Sequence, residues 1–500
     1  MKKLDIGVIV TTLIIVTISC SLAFFAAKVV GEPKDINLVA KNVAITFNDT
    51  SIIANGVVSP GWNTTKTFTI TNNSKEEYKY NISIKDLINT FVTEGYLQYK
   101  ITSTNDGYNM TEFKDIPKSS APKDKVLAYS VSIPVGVTQS YTIEFKYAND
   151  ESVDQSDDMG KKLSGTLFIT EGTEPTLLSQ ILNDNPTRST RSNNNNGTND
   201  FATPLTTTTT GTLFTSTESI TGITDSPKEV YYYAGNTTNN WVKFAGLYWR
   251  IIRTNHDSSI RLLYVGTSHD TTTGNIGKSV FNNSYNSPKY VGYKYGEDTS
   301  LDTIRNNTTD STIKTIIDAW YQNNLTNYTK YLSTSAVYCN DRSIINGTYS
   351  TSSSFDYAAR TRLQTNKMPT YNCANIKDAF SAENTSAKLD YPVSLMTADE
   401  IAFAGGVSLQ TMNTPYAWFI SNSAGTQVSS EWWSLSPSNW LFKNAKIWYW
   451  DSVDANLSQF RVSVLHAVRP VISLNSCIKY GTGDGSATNP YTILETSSGC

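Results

Sequence analysis

The chain is 500 residues long, 39% apolar and 17% charged, with a formal net charge of −3. That length exceeds one ordinary core and predicts two or three domains. The near-neutral charge gives a nucleic-acid partner no electrostatic footprint, and three histidines (His256, His269, His466) leave little material for histidine catalysis or a metal centre.

Residues 1–30 open with Lys2 and Lys3 and continue as an apolar run from Ile6 to Val30. A helix of that length crosses a bilayer core of roughly 30 Å. The segment is expected either to stay as a transmembrane anchor, with the lysines inside, or to be cleaved as a signal peptide. Either outcome places the remainder on the extracellular side of the cell membrane, or secreted.

Residues 31–172 read as short alternating strands, among them "KTFTITNN", "YKYNISI", "LQYKITST" and "SYTIEFKYA". Seven such runs separated by Gly, Pro, Asn and Asp predict an immunoglobulin-like β-sandwich. From 173 to 222 the chain turns polar. A short helix is expected at "LLSQILND", followed by a disordered linker through "SNNNNGTND" and "PLTTTTTG".

Residues 223–500 predict an α+β domain. "WVKFAGLYWRIIR" reads as a hairpin. Ile313, Ile316, Ile317, Trp320 and Tyr321 repeat at helical spacing after Asp310 or Ser311 as N-cap. "TADE" places Thr397 and Glu400 as a capping box, and Gly405 and Gly406 stop that helix. Cys339, Cys373, Cys477 and Cys500 contain no CxxC pair. They suit two disulfides; three pairings are open, and proximity favours Cys339–Cys373 and Cys477–Cys500.

Five of ten tryptophans fall between Trp432 and Trp450. Trp432 and Trp433, in "WWSLSP", are expected in the core. Were 445–451 a strand, Lys446, Trp448 and Trp450 would share one face. Trp440, Trp448, Trp450 and Asp451 are therefore the candidate ligand-binding residues, with a loop covering the core as the competing reading. Arg469 in "AVRPVISL" and His466 are expected to be structural, His256 and His269 solvated in turns, and "GTGDGSATNP" around Asp484 a turn without the spaced carboxylates that calcium needs. No nucleophile stands with a base at a recognisable spacing, so no catalytic residue, cofactor or metal is assigned.

Two resemblances accompany these readings. "VVSPGWNTTKTFTITNNS", "SIPVGVTQSYTIEF" and "DQSDDMGKKLSGTLFI" make residues 31–172 similar to the camelysin/TasA family of secreted bacterial matrix proteins. "YYYAGNTTNNWVKFAGLYWRIIR", "VYCNDRS", "PVSLMTADEIAFAGG", "WWSLSP" and "AVRPVISL" resemble an extracellular domain family of gut Firmicutes and their wall-less relatives. Its closing pattern is distantly similar to C-type-lectin-like folds. The resemblances imply a surface protein whose distal domain adheres to, or recognises, a glycan or protein; a matrix fibre assembled through the sandwich is the alternative.

Overall fold

The computed structural model describes residues 26–29, 36–40, 43–49, 56–93, 95–172, 174–191, 201–412, 416–428 and 430–500, the stretches before Val58 by backbone pairing only. The chain divides after Glu174 into two compact units. Most of the expected membrane segment, up to Phe25, lies outside the described residues. Its end is corrected: Ala26–Val29 forms a strand that pairs in parallel with Leu163–Gly165. Among the described residues no helix is long and apolar enough to cross a membrane.

The first unit is β-rich. One sheet joins Gly56–Val57, Ala26–Val29, Leu163–Glu171, Tyr78–Asn89 and Ser119–Ile133. A second runs through Ile36–Ala40, Val43–Asp49, Asn63–Asn72, Thr138–Tyr147, Leu97–Ser103 and Lys114–Asp115. Alternation, strict in Thr138–Tyr147 and broken by bulges in Tyr78–Asn89, builds the layer between them. Tyr141, Ile143, Phe145 and Tyr147 are buried from one sheet, and Tyr80, Ile82, Leu167 and Ile169 from the other, in one apolar cluster. Polar tips inside it are paired: Tyr147 donates to Asp158 at 2.8 Å, and Tyr80 to Gln139 at 2.5 Å.

The second unit begins at Pro175, not at 223. The helix Leu177–Asp184 falls on the expected stretch, with Thr176 as its cap. The disordered linker, however, is not what the described residues show; only 192–200 of its polar run lie outside them. Thr187–Ser189 pairs with Thr212–Glu218, which pairs in turn with Lys228–Tyr232. Few apolar side chains suffice there because they dock on others. Phe201, Leu205 and Phe214 pack with Tyr232, Tyr371 and Phe403, and the Arg191 guanidinium covers the Phe201 ring at 4.5 Å. Backbone pairing and a shared core supply what local composition lacks.

That first sheet of the unit continues through Leu247–Thr254, Ile260–Gly266, Pro470–Leu474 and Val393–Leu395. A second sheet carries Ile344–Asn346, Phe355–Tyr357, Trp432–Leu441, Asn444–Asp451 and Asn456–Arg461. Ser311 caps the helix Thr312–Asn324, and the Thr397–Glu400 capping box opens Ala398–Ala404, which Gly405 ends at φ 124°. Disulfides join Cys339 to Cys373, with Cα atoms 5.8 Å apart, and Cys477 to Cys500, at 5.4 Å.

Candidate functional site

The strand Asn444–Asp451 does present Lys446, Trp448 and Trp450 to one face, but that face is covered over the two tryptophans, while Lys446 stays half-buried. Trp440 is 1% exposed, Trp448 and Trp450 are 0% exposed, and Asp451 is 8% exposed. Phe419 meets Trp450 edge-on at 5.0 Å, and a Cβ at Gly406 would stand 3.2 Å from the Trp450 ring. The segment after the Ala398–Ala404 helix thus lies directly on the tryptophans, which is what corrects the expected exposed strip. Asp451 is taken up by its turn: it accepts from the Val453 amide at 3.0 Å and the Tyr449 hydroxyl at 2.9 Å. Trp432 and Trp433 are core, as expected. Trp432 carries the Arg469 guanidinium at 5.2 Å, and Trp433 Nε1 donates to the Ser279 carbonyl at 2.9 Å.

Arg469 is buried and ties two segments, donating to the Phe419 carbonyl at 2.5 Å and the Tyr264 carbonyl at 3.2 Å. His466 is held by Glu431 at 3.0 Å and stacks on Tyr449 at 4.5 Å. His256 differs from its expected solvated turn: its Nδ1 lies 3.5 Å from buried Glu218. His269 bonds Ser423 at 2.7 Å on the surface, and Asp484 accepts from the Ser486 amide at 2.9 Å as a turn aspartate does.

The densest chemistry lies elsewhere, in residues 218–400. Arg253 bridges Glu218 and Glu400, at 2.8 Å each, and Arg261 shares the Glu400 carboxylate. Beside them Arg362 grips Asp399 with two parallel bonds of 2.9 Å and Asp341 with one of 2.8 Å. Tyr371 lies under Arg253 at 4.4 Å, its hydroxyl buried without a hydrogen-bond partner among the described residues. A small cavity of about 20 Å³ opens here beside Cys339, room for one or two waters and too little for a sugar or cofactor.

Sequence reasoning recognised Glu400 only as a helix cap and missed the network. Its members are scattered over nearly two hundred positions, and no local spacing marks them. Chemically it is a clamp. Burial alone would raise Glu218, but Arg253 outweighs it and holds the carboxyl down at about 2. A carboxylate that acidic is a poor general base at neutral pH.

This has a pH consequence. The folded value of Glu218 is depressed from 4.5 to about 2, so its contribution is present above the unfolded value and is lost as pH falls through the folded one. The second unit is expected to lose on the order of 3 kcal/mol between pH 5 and pH 2 from this group. Thermal midpoints across that range check it; a flat profile would show that Glu218 is no better held folded than unfolded.

A third cluster has the look of a cation site. Carboxylate oxygens of Asp310, Asp318 and Asp390 lie within 4.8 Å of one another. An internal ammonium fills the centre: Lys314 Nζ stands 3.1 Å from Asp310, 2.5 Å from Asp318 and 2.8 Å from Asp390. Burial works against the charge of Lys314, and the carboxylates more than restore it. Lys314→Ala is expected to cost about 2–3 kcal/mol, because the three carboxylates then face one another with only Lys294, 3.3 Å from Asp310 and 3.8 Å from Asp390, to answer them. Part of that loss should return with millimolar calcium in a thermal melt, and a variant as stable as wild type would refute the ammonium's role.

No family model and no curated protein matches the chain. A solved structure described as "AvmM Catalyzes Macrocyclization in Alchivemycin A Biosynthesis" aligns over 29% of this chain and all of its own, at 9% identity and a TM-score of 0.16. A likeness so slight carries no argument about fold or chemistry.

Proposed function

We propose that the protein is an adhesion or recognition protein of a bacterial cell surface, held by the apolar segment that begins at Ile6 and ends before the Ala26–Val29 strand, and binding a glycan or protein through its C-terminal unit. The first unit serves as an immunoglobulin-like stalk of camelysin/TasA type, and the second as a C-type-lectin-like head. One observation carries the reading: all four cysteines of the second unit are paired, Cys339 with Cys373 and Cys477 with Cys500. Disulfides persist in oxidising surroundings, and a clamped, disulfide-tied head suits exposure outside the cell. The buried tryptophans are scaffold in this reading, and contact falls to the outer surface of the head.

The test uses intact Gram-positive cells expressing the full chain. Added protease should release the head, and its four cysteines should resist a thiol-reactive label until reductant is added. A head that stays protected while its cysteines label freely would place it in a reducing interior and end the proposal.

A further inference from the structure

The hairpin of Trp432–Leu441 and Asn444–Asp451, flanked by Phe355–Tyr357 and Asn456–Arg461, sets four residues in one transverse row. Asp356 registers with Asn439, Asn439 with Lys446, and Lys446 with Arg461. Directly registered residues share a sheet face, with neighbouring Cβ atoms roughly 5 Å apart. The row therefore places two cations side by side, an arrangement that costs stability unless something answers it.

Nothing among the described residues of the head answers it. Asp356 is taken by Arg360, a third cation, which stands four residues further along the chain. Neither Lys446 nor Arg461 has a carboxylate within ion-pair reach among the described residues; Arg461 lies over the Tyr285 ring at 4.5 Å. Arg360, Lys446 and Arg461 against Asp356 leave two uncompensated positive charges. Burial, and then the Arg360 charge, push Lys446 below its ordinary value. Between Asp356 and Lys446, Asn439 is 0% exposed, yet both ends of its side-chain amide lack a hydrogen-bond partner among the described residues. A buried amide with neither donor nor acceptor engaged adds its own cost to that of the adjoining cations.

We propose that Lys446 and Arg461, with Arg360 beside them, form an oxyanion-binding site that takes a sulfate or carboxylate group. The cations supply charge-assisted bonds to the anion. Arg461 is exposed, half-exposed Tyr285 lies beneath it, and Phe442 is 81% exposed at the adjoining hairpin turn. Those rings give a flat support for a sugar that bears the anion. The site goes beyond the adhesion reading, because oxyanion binding is measurable whether or not the head adheres.

The experiment titrates the full chain by calorimetry with sodium sulfate at constant ionic strength against chloride, and in parallel with a sulfated disaccharide. Saturable sulfate binding is expected, weakened at least about tenfold in Arg461→Gln and in Lys446→Gln, and unchanged in Lys228→Gln on the other sheet. Disaccharide binding about tenfold tighter than sulfate would assign the site to a sugar-borne anion, and equal affinities to the free ion. Arg461→Gln alters only an exposed edge residue, so its circular dichroism should match wild type and its affinity remain interpretable. No saturable binding to wild type, or undiminished binding by both variants, would overturn the proposal.

Discussion

Glu400→Ala is expected to lower the stability of the second unit by about 3–5 kcal/mol. The Glu400 carboxylate accepts from Arg253 at 2.8 Å, from Arg261, and from the Thr397 amide at 2.9 Å, closing a capping box in the same stroke. Arg253 is 3% exposed and Arg261 0% exposed. Removing their shared carboxylate leaves Arg253 with Glu218 alone and takes away the ion-pair partner of Arg261, beside a cavity with room for only one or two waters. Burial of a whole ion network is often neutral against an apolar replacement, so deletion of one partner is the sharper experiment. Tryptophan fluorescence in urea reads it: Trp62 lies in the first unit and the other nine of ten tryptophans in the second. A shift below about 1 kcal/mol would mean that the clamp is far better solvated than its burial implies.

Trp450→Ala should cost a similar amount, about 3–5 kcal/mol. The ring is fully buried against Phe419 and the Gly406 backbone, which has no side chain to collapse into the space left behind. Trp450→Phe should be milder, within about 2 kcal/mol, because it also removes an indole N–H buried without a partner among the described residues. The comparison separates two accounts of the tryptophan segment. An exposed binding strip would lose a ligand on truncation and keep its stability; a core wedge loses stability first. Chemical denaturation of the two variants beside wild type decides between them.

Features written over short distances were legible in the residues alone. Alternation in "SYTIEFKYA" specifies a strand with one buried face, since side-chain direction reverses at every residue. Thr397 and Glu400 fix a helix start because capping acts within one turn. Cysteine spacing favoured the two disulfides that form. Alternation also placed Trp448 and Trp450 correctly on one face of their strand, and left open whether anything covers it. Packing between distant segments settles that. Phe419 and Gly406 arrive from a separate segment, and neighbours distant in the chain leave no local pattern. The same reason kept the Glu218–Arg253–Glu400–Arg261 clamp and the Asp356–Asn439–Lys446–Arg461 row out of view, for register joins residues that sequence separation hides. It also explains the polar stretch before 222: its threonines are poor core formers alone, yet Thr212–Glu218 is ordered by a partner strand that supplies the hydrogen bonds and buried surface its own composition lacks.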